Sequence, residues 1–153
     1  MNYVISAQNE PYINTLHPSV RNKFKELIME AEKLGWKFYI TNSLRIQNKN
    51  SMHQLGLAID CNLVNKKTGE TITMKNHTIK QWEATGVPAL AERLGFTWGG
   101  RFSNYINMYN QRGDAVHFEY NFGKTYAQLV QSGINQFGTK ELALKNYSDI
   151  KLV

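Results

Sequence analysis

One ten-residue stretch constrains this chain more than any other: Ser51-Met52-His53-Gln54-Leu55-Gly56-Leu57-Ala58-Ile59-Asp60. It sets an imidazole and a carboxylate seven residues apart, with a glycine and small apolar residues between them. Ala58-Ile59-Asp60-Cys61-Asn62-Leu63 reads as a short strand, so His53 is expected in the loop that enters it. Far downstream, Gly113-Asp114-Ala115-Val116-His117-Phe118-Glu119 supplies a second imidazole and two more carboxylates. Val116 to Tyr120 reads as a strand of period two, which sets His117 and Glu119 on one face and Val116, Phe118 and Tyr120 on the other. Two His and one Asp make a tridentate zinc site with an open fourth position, the pattern of catalytic rather than structural zinc.

Around these two stretches the periodicity alternates between helix and strand. From Pro18 to Leu34, Val20, Phe24, Leu27, Ile28, Ala31 and Leu34 recur at spacings of three and four, which predicts a packing helix. Pro18 suits its first turn and Gly35 its C-terminal stop. Trp36 to Thr41 has the aromatic and β-branched content of a strand, and Asn42 to Arg45 ends it. A polar loop from Ile46 to Asn50 then leads to Ser51. Asn65 to Glu70 is turn-rich and predicts a hairpin between Cys61–Val64 and Thr71–Met74. Residues 75 to 88 carry little pattern. Pro88 to Leu94 predicts a short helix closed by Gly95, and Gly99-Gly100 allows a tight bend or close backbone approach. Residues 101 to 113, rich in Asn, Tyr and Gly, read as a loop flanking a cleft. Thr125 to Ser132 predicts a short helix, and the last twenty residues give no functional signal. The expected fold is α+β: a small antiparallel sheet with packed helices, and a zinc cleft on one sheet face.

At 153 residues the chain is expected to form one domain with its own core. A single cysteine excludes an intramolecular disulfide framework and a cysteine-based zinc cluster. Cys61 directly follows Asp60 on the expected strand, so its thiol should face away from that carboxylate as a small buried residue. The net charge of +6 favours anionic partners, but the basic residues are scattered. No tract, finger or helical arm marks a nucleic-acid reader, and a polyanionic cell envelope suits the charge equally well. The N-terminal residues, Met1 onward, lack a basic region followed by an apolar run, and no stretch approaches the roughly 18 apolar residues of a membrane span. The reading is a protein made in the cytoplasm, without stable membrane insertion. His17 and His77 have no acid partner at motif spacing and are expected at the surface. Arg45, at a strand end beside the site, is suited either to a substrate carboxylate or oxyanion or to a surface ion pair.

Ser51-x-His53-x-x-Gly56-x-Ala58-x-Asp60, then Trp98-Gly99-Gly100, then Asp114-x-x-His117-Phe118-Glu119 resembles the zinc D-alanyl-D-alanine carboxypeptidase and L-alanyl–D-glutamate endopeptidase family. That family includes VanY-like peptidases and bacteriophage endolysins. The likeness spans about residues 38 to 120, with the three blocks in family order. It implies that His53, Asp60 and His117 hold one zinc ion. It further implies that Asp114 is the general base, that Arg45 stabilises the polarised carbonyl or holds substrate, and that Ser51 leads the first ligand.

The groups themselves support such chemistry. Zinc held by two neutral imidazoles and one carboxylate keeps a positive charge, so it can acidify a water and polarise an amide carbonyl. A nearby carboxylate must take the water's proton and pass it to the leaving amine. Asp114, at a strand end beside His117, suits that task, and Glu119 suits either orientation of a ligand from the outer shell or the base role itself. The expected activity is hydrolysis of the L-alanyl–D-glutamate bond of the peptidoglycan stem, because the endolysin branch is similar in its Asp base, small size and absent signal sequence. The chain would then be a monomeric phage lysis enzyme made in the host cytoplasm and let out by a separate pore. One alternative is a D-alanyl-D-alanine carboxypeptidase or dipeptidase using the same site. The other, of a different class, is a non-catalytic basic module that binds wall or nucleic acid and keeps a metal for structure alone.

Overall fold

The structure, a computed structural model, describes residues 4–46 and 49–153. The expected loop from Ile46 to Asn50 and the N-terminal leader reading therefore fall partly outside the described residues, at 47–48 and 1–3.

Helix α1 (Glu10–Asn14) leads into one 3-10 turn at Pro18–Val20 and then α2 (Arg21–Lys33), which buries Phe24, Leu27, Ile28 and Ala31. Gly35 closes α2 at φ +96, a conformation that costs glycine little. Strand β1 (Trp36–Asn42) follows, then β2 (Ala58–Asn65) and the short β3 (Thr71–Ile72). Two more helices, α3 (Ile79–Ala84) and α4 (Val87–Arg93), precede β4 (Thr97–Trp98) and β5 (His117–Glu119). The chain closes with α5 (Tyr126–Phe137) and α6 (Lys140–Lys145). Among the described residues no helix is long and apolar enough to cross a membrane.

The sheet is antiparallel throughout its described pairs, in the order β1-β2-β5-β4, with β3 also pairing β2. Register decides what each face carries. Ile59 lies opposite Phe118 and both are fully buried, whereas Asp60 lies opposite His117 and Ala58 opposite Glu119. Because neighbouring residues on a strand point to opposite faces, this pairing stacks apolar groups on the core side and Asp60, His117 and Glu119 together on the other. Phe38 meets Phe118 at 5.7 Å, and Phe24 on α2 meets Phe96, the residue that leads into β4, edge-on at 4.9 Å, all four within the same core.

The α+β architecture is as expected, with differences of detail. Residues 75 to 88 contain α3, started by a capping box in which Thr78 and Gln81 satisfy each other's backbone N–H groups. Helix α5 runs past Ser132 to Phe137: Gly133 does not end it but admits Ile150 and Ala143, which a Cβ there would meet at 2.8 and 2.9 Å. His17 is buried rather than at the surface, and its Nε2 donates to the Ile150 carbonyl at 2.7 Å. His77 is half-buried. Its Nδ1 accepts from the Thr73 N–H, and its Nε2 lies 3.4 Å from Glu70 Oε1. The buried Cys61 sits on the core side as expected, and burial pushes its thiol pKa well up.

Candidate metal centre

The centre is built from two local constructions. The first is a 3-10 turn at Met52–Leu55 that carries His53, where a plain loop was expected. Ser51 caps it by accepting the His53 N–H at 3.3 Å, and Gly56 ends it at φ +65. Only glycine fits at this end. A Cβ on Gly56 would stand 2.7 Å from the His17 backbone nitrogen and 2.7 Å from the Tyr147 ring. The second construction is the β2–β5 register that sets Asp60 beside His117.

Together they bring three donors to one point. His53 Nε2 lies 3.2 Å from Asp60 Oδ1, His117 Nδ1 lies 3.5 Å from the same oxygen, and all three ligand atoms fall within 4.8 Å of one another. Ligands of a tetrahedral zinc, each about 2.0–2.1 Å from the metal, stand about 3.3 Å apart. The donor set and its spacing therefore fit zinc.

Each imidazole is fixed from behind. His53 Nδ1 donates to the Ser43 carbonyl at 2.7 Å, which places its proton there and leaves Nε2 as the inward lone pair. His117 is held the other way round: Nε2 bonds Glu119 Oε1 at 2.8 Å, which turns Nδ1 inward. Glu119 is held in turn by Asn121 Nδ2, 2.9 Å from its second oxygen, and Asn121 also reaches Thr97. Such outer partners orient ligands and raise their basicity.

The electrostatics follow from this packing. Burial opposes the charge on Asp60, but its bonds to His117 and His53 prevail and hold the carboxyl well below the usual range. Burial likewise opposes a charged His117, yet Asp60 and Glu119 outweigh it and raise its pKa to about 9 in the metal-free protein. Glu119 is lowered, as its bonds to His117 and Asn121 overcome the effect of burial. Asp114 behaves oppositely. Burial, helped by the charge of Asp60, raises its pKa despite the pull of His117, His53 and Arg45.

Asp114 reaches this position through close backbone contact. Its N–H donates to the Gly99 carbonyl at 2.8 Å, and a Cβ on Gly99 would stand 2.3 Å from the Asp114 carbonyl oxygen and 2.8 Å from His117 Cβ. The paired glycines thus serve the close approach foreseen for them. Asp114, Arg45, Ser51, His53, His117 and Glu119 line one open cleft of about 730 Å³. Arg45 also donates its backbone N–H to the His53 carbonyl at 3.1 Å.

The structure thus gathers all seven site residues expected from the sequence. Sequence reasoning missed Ser43, which acts through its backbone carbonyl and so carries no side-chain signature. It also missed Asn121, which continues the alternation of His117 and Glu119 and was legible in principle. Phe102, packed 5.5 Å from the His117 ring, was likewise overlooked.

Two imidazoles and a carboxylate at the floor of an open cleft, with a further carboxylate beside them, are the build of a mononuclear metallohydrolase. A family model described as D-alanyl-D-alanine carboxypeptidase matches residues 45–120, a span that holds every one of those seven residues, and the chain belongs to this metallopeptidase family. No curated protein matches the chain.

Proposed function

We propose that this chain is a zinc-dependent peptidoglycan hydrolase that cleaves the L-alanyl–D-glutamate bond of the stem peptide, with His53, Asp60 and His117 as the metal ligands. The observation that carries the hydrolytic reading is Asp114: a cleft carboxylate beside the three donors but outside their set, with a raised pKa. A purely structural metal has no use for such a group.

Zinc, when bound, supplies a Lewis acid that polarises the scissile carbonyl and acidifies a water. Asp114 accepts that water's proton as the new C–O bond forms, then hands it to the amine nitrogen as the C–N bond breaks. A pKa above the ordinary carboxylate value suits both steps, since the group must hold the proton between them. Arg45 offsets the negative charge that builds on the carbonyl oxygen. Glu119 and the Ser43 carbonyl keep the two imidazoles in the tautomers that ligation needs, and Ser51 holds the turn that carries His53. The chain acts as one catalytic domain and as a monomer, in the manner of a phage endolysin that reaches the wall from the cytoplasm through a separate pore. Its positive charge favours approach to an anionic wall.

The family description supports a second reading, release of terminal D-alanine by the same residues. Digestion of purified peptidoglycan, with products read by mass spectrometry, separates the two. New N-terminal D-glutamyl or isoglutaminyl ends are expected, and free D-alanine in their place would transfer the assignment to the carboxypeptidase.

A further inference from the structure

The cleft carries a cluster of cations that the proposed chemistry does not use. Lys49 and Lys124 line it together with Asn50 and Tyr126. Lys140, at the start of α6, joins this wall: its Nζ lies 3.2 Å from Asn50 Oδ1 and 5.8 Å from the centre of the Tyr126 ring. Tyr126 in turn donates to Gln54, next to His53, so the wall is tied directly to the turn that bears the ligand.

All three lysines are exposed, and among the described residues none of them pairs with a carboxylate. Lys124 and Lys140 rest on neutral oxygens only, those of Leu152 and Asn50. An ammonium has three donors, so each keeps hydrogen-bonding capacity to spare. The carboxylates of the cleft are otherwise engaged: Asp60 with both imidazoles, Glu119 with His117 and Asn121, and Asp114 with catalysis as proposed above. Solvated lysines on one wall of a cleft concentrate anions there.

We infer that Lys49, Lys124 and Lys140 form a carboxylate-recognising subsite that selects acidic peptides over their amidated counterparts. The inference rests on the peptidase reading and adds the chemical class of its substrate: a peptide whose amine-side fragment carries free carboxylates. It also gives residues 121 to 153 a part in substrate binding, since two of the three lysines come from that segment.

The test uses two synthetic peptides, L-alanyl-γ-D-glutamyl-L-lysine with the glutamate α-carboxyl free, and the same peptide with that group as carboxamide. Binding of each to zinc-loaded Asp114→Asn protein is measured by calorimetry, and turnover of each by the unsubstituted protein. The acid is expected to bind about tenfold more tightly than the amide, the scale of one charge-assisted contact. That advantage should fall to within about twofold in Lys124→Met/Lys140→Met protein and in about 1 M salt, where the Debye length is about 3 Å. Equal binding of acid and amide, or an advantage that survives the double substitution, overturns the subsite. If the lysine-dependent preference is present but neither peptide is hydrolysed, the subsite stands and the peptidase reading falls.

Discussion

His17 and the pair His53/His117 look alike by burial, at 5, 1 and 5 % exposed, yet they are wired differently. Both nitrogens of His17 are closed by its own surroundings: Nδ1 accepts from the Ser19 N–H and lies 2.7 Å from the Ser19 hydroxyl, and Nε2 donates to Ile150. His53 and His117 each spend one nitrogen on an anchor, the Ser43 carbonyl or Glu119, and turn the other toward Asp60. His17 satisfies both nitrogens within the fold, whereas His53 and His117, the proposed metal ligands, each leave one aimed at a shared carboxylate. Burial therefore does not distinguish the two kinds; the destination of the second nitrogen does.

The largest effects that test this contrast are on metal binding. His53→Gln or His117→Gln should weaken zinc binding beyond the roughly 10–100-fold that loss of an outer partner costs. His17→Ala should leave zinc stoichiometry and affinity intact while costing about 1–3 kcal/mol of stability through the unsatisfied Ile150 and Ser19 groups. Competition with a chromophoric chelator and thermal melts read both. Zinc loss in the His17 variant would collapse the distinction. Next in size, Asp114→Asn should lower kcat by about 100- to 10,000-fold with one zinc still bound. Glu119→Gln should weaken zinc by about 10–100-fold while hydrolysis at saturating metal largely survives. A larger loss of kcat than in Asp114→Asn would make Glu119 the base instead.

The smallest effect is also the most specific, because the two kinds of histidine carry opposite pH signatures. His117 has a folded pKa raised above its ordinary 6.5 to about 9. Its contribution to metal-free stability is therefore full below pH 6.5 and lost as pH rises through about 9. His17 is lowered, chiefly by burial, so the native state disfavours its proton and its contribution is lost as pH falls below 6.5. Melts of chelator-treated protein should thus lose a few degrees on each side. His117→Gln is expected to flatten the alkaline limb, and His17→Ala to reduce the loss just below pH 6.5, above the range where Asp60 and Glu119 take up protons.

Much of this was legible in the sequence for local reasons. The period-two alternation around His117 follows from strand geometry and puts Glu119 on the same face, whereas the grouping of His53, Asp60 and His117 as one ligand set came from the family likeness of their motifs. Helix α2 was legible because its apolar stripe runs between a proline and a glycine. The failures share a cause. The carbonyl partner of His17 lies 133 residues away, and nothing near Pro18 announces it. The helix expected over Thr125 to Ser132 runs on to Phe137, and its packing at Gly133 becomes plain only when Ile150 and Ala143 are seen against it. Ser43 contributes only a backbone oxygen, which every residue type possesses. The α3 start is the exception, since Thr78-x-x-Gln81 is a local signal that was present and passed over.

The most direct test of the central claim, that the open three-donor centre performs hydrolysis with Asp114 as its base, compares unsubstituted and Asp114→Asn protein on purified peptidoglycan. Each is loaded with one zinc ion and assayed with and without chelator. Stem-peptide cleavage by the unsubstituted protein alone, abolished by chelator and restored by zinc, is the expected result. Cleavage that persists under chelation, or that the Asp114→Asn protein performs equally well, would contradict it.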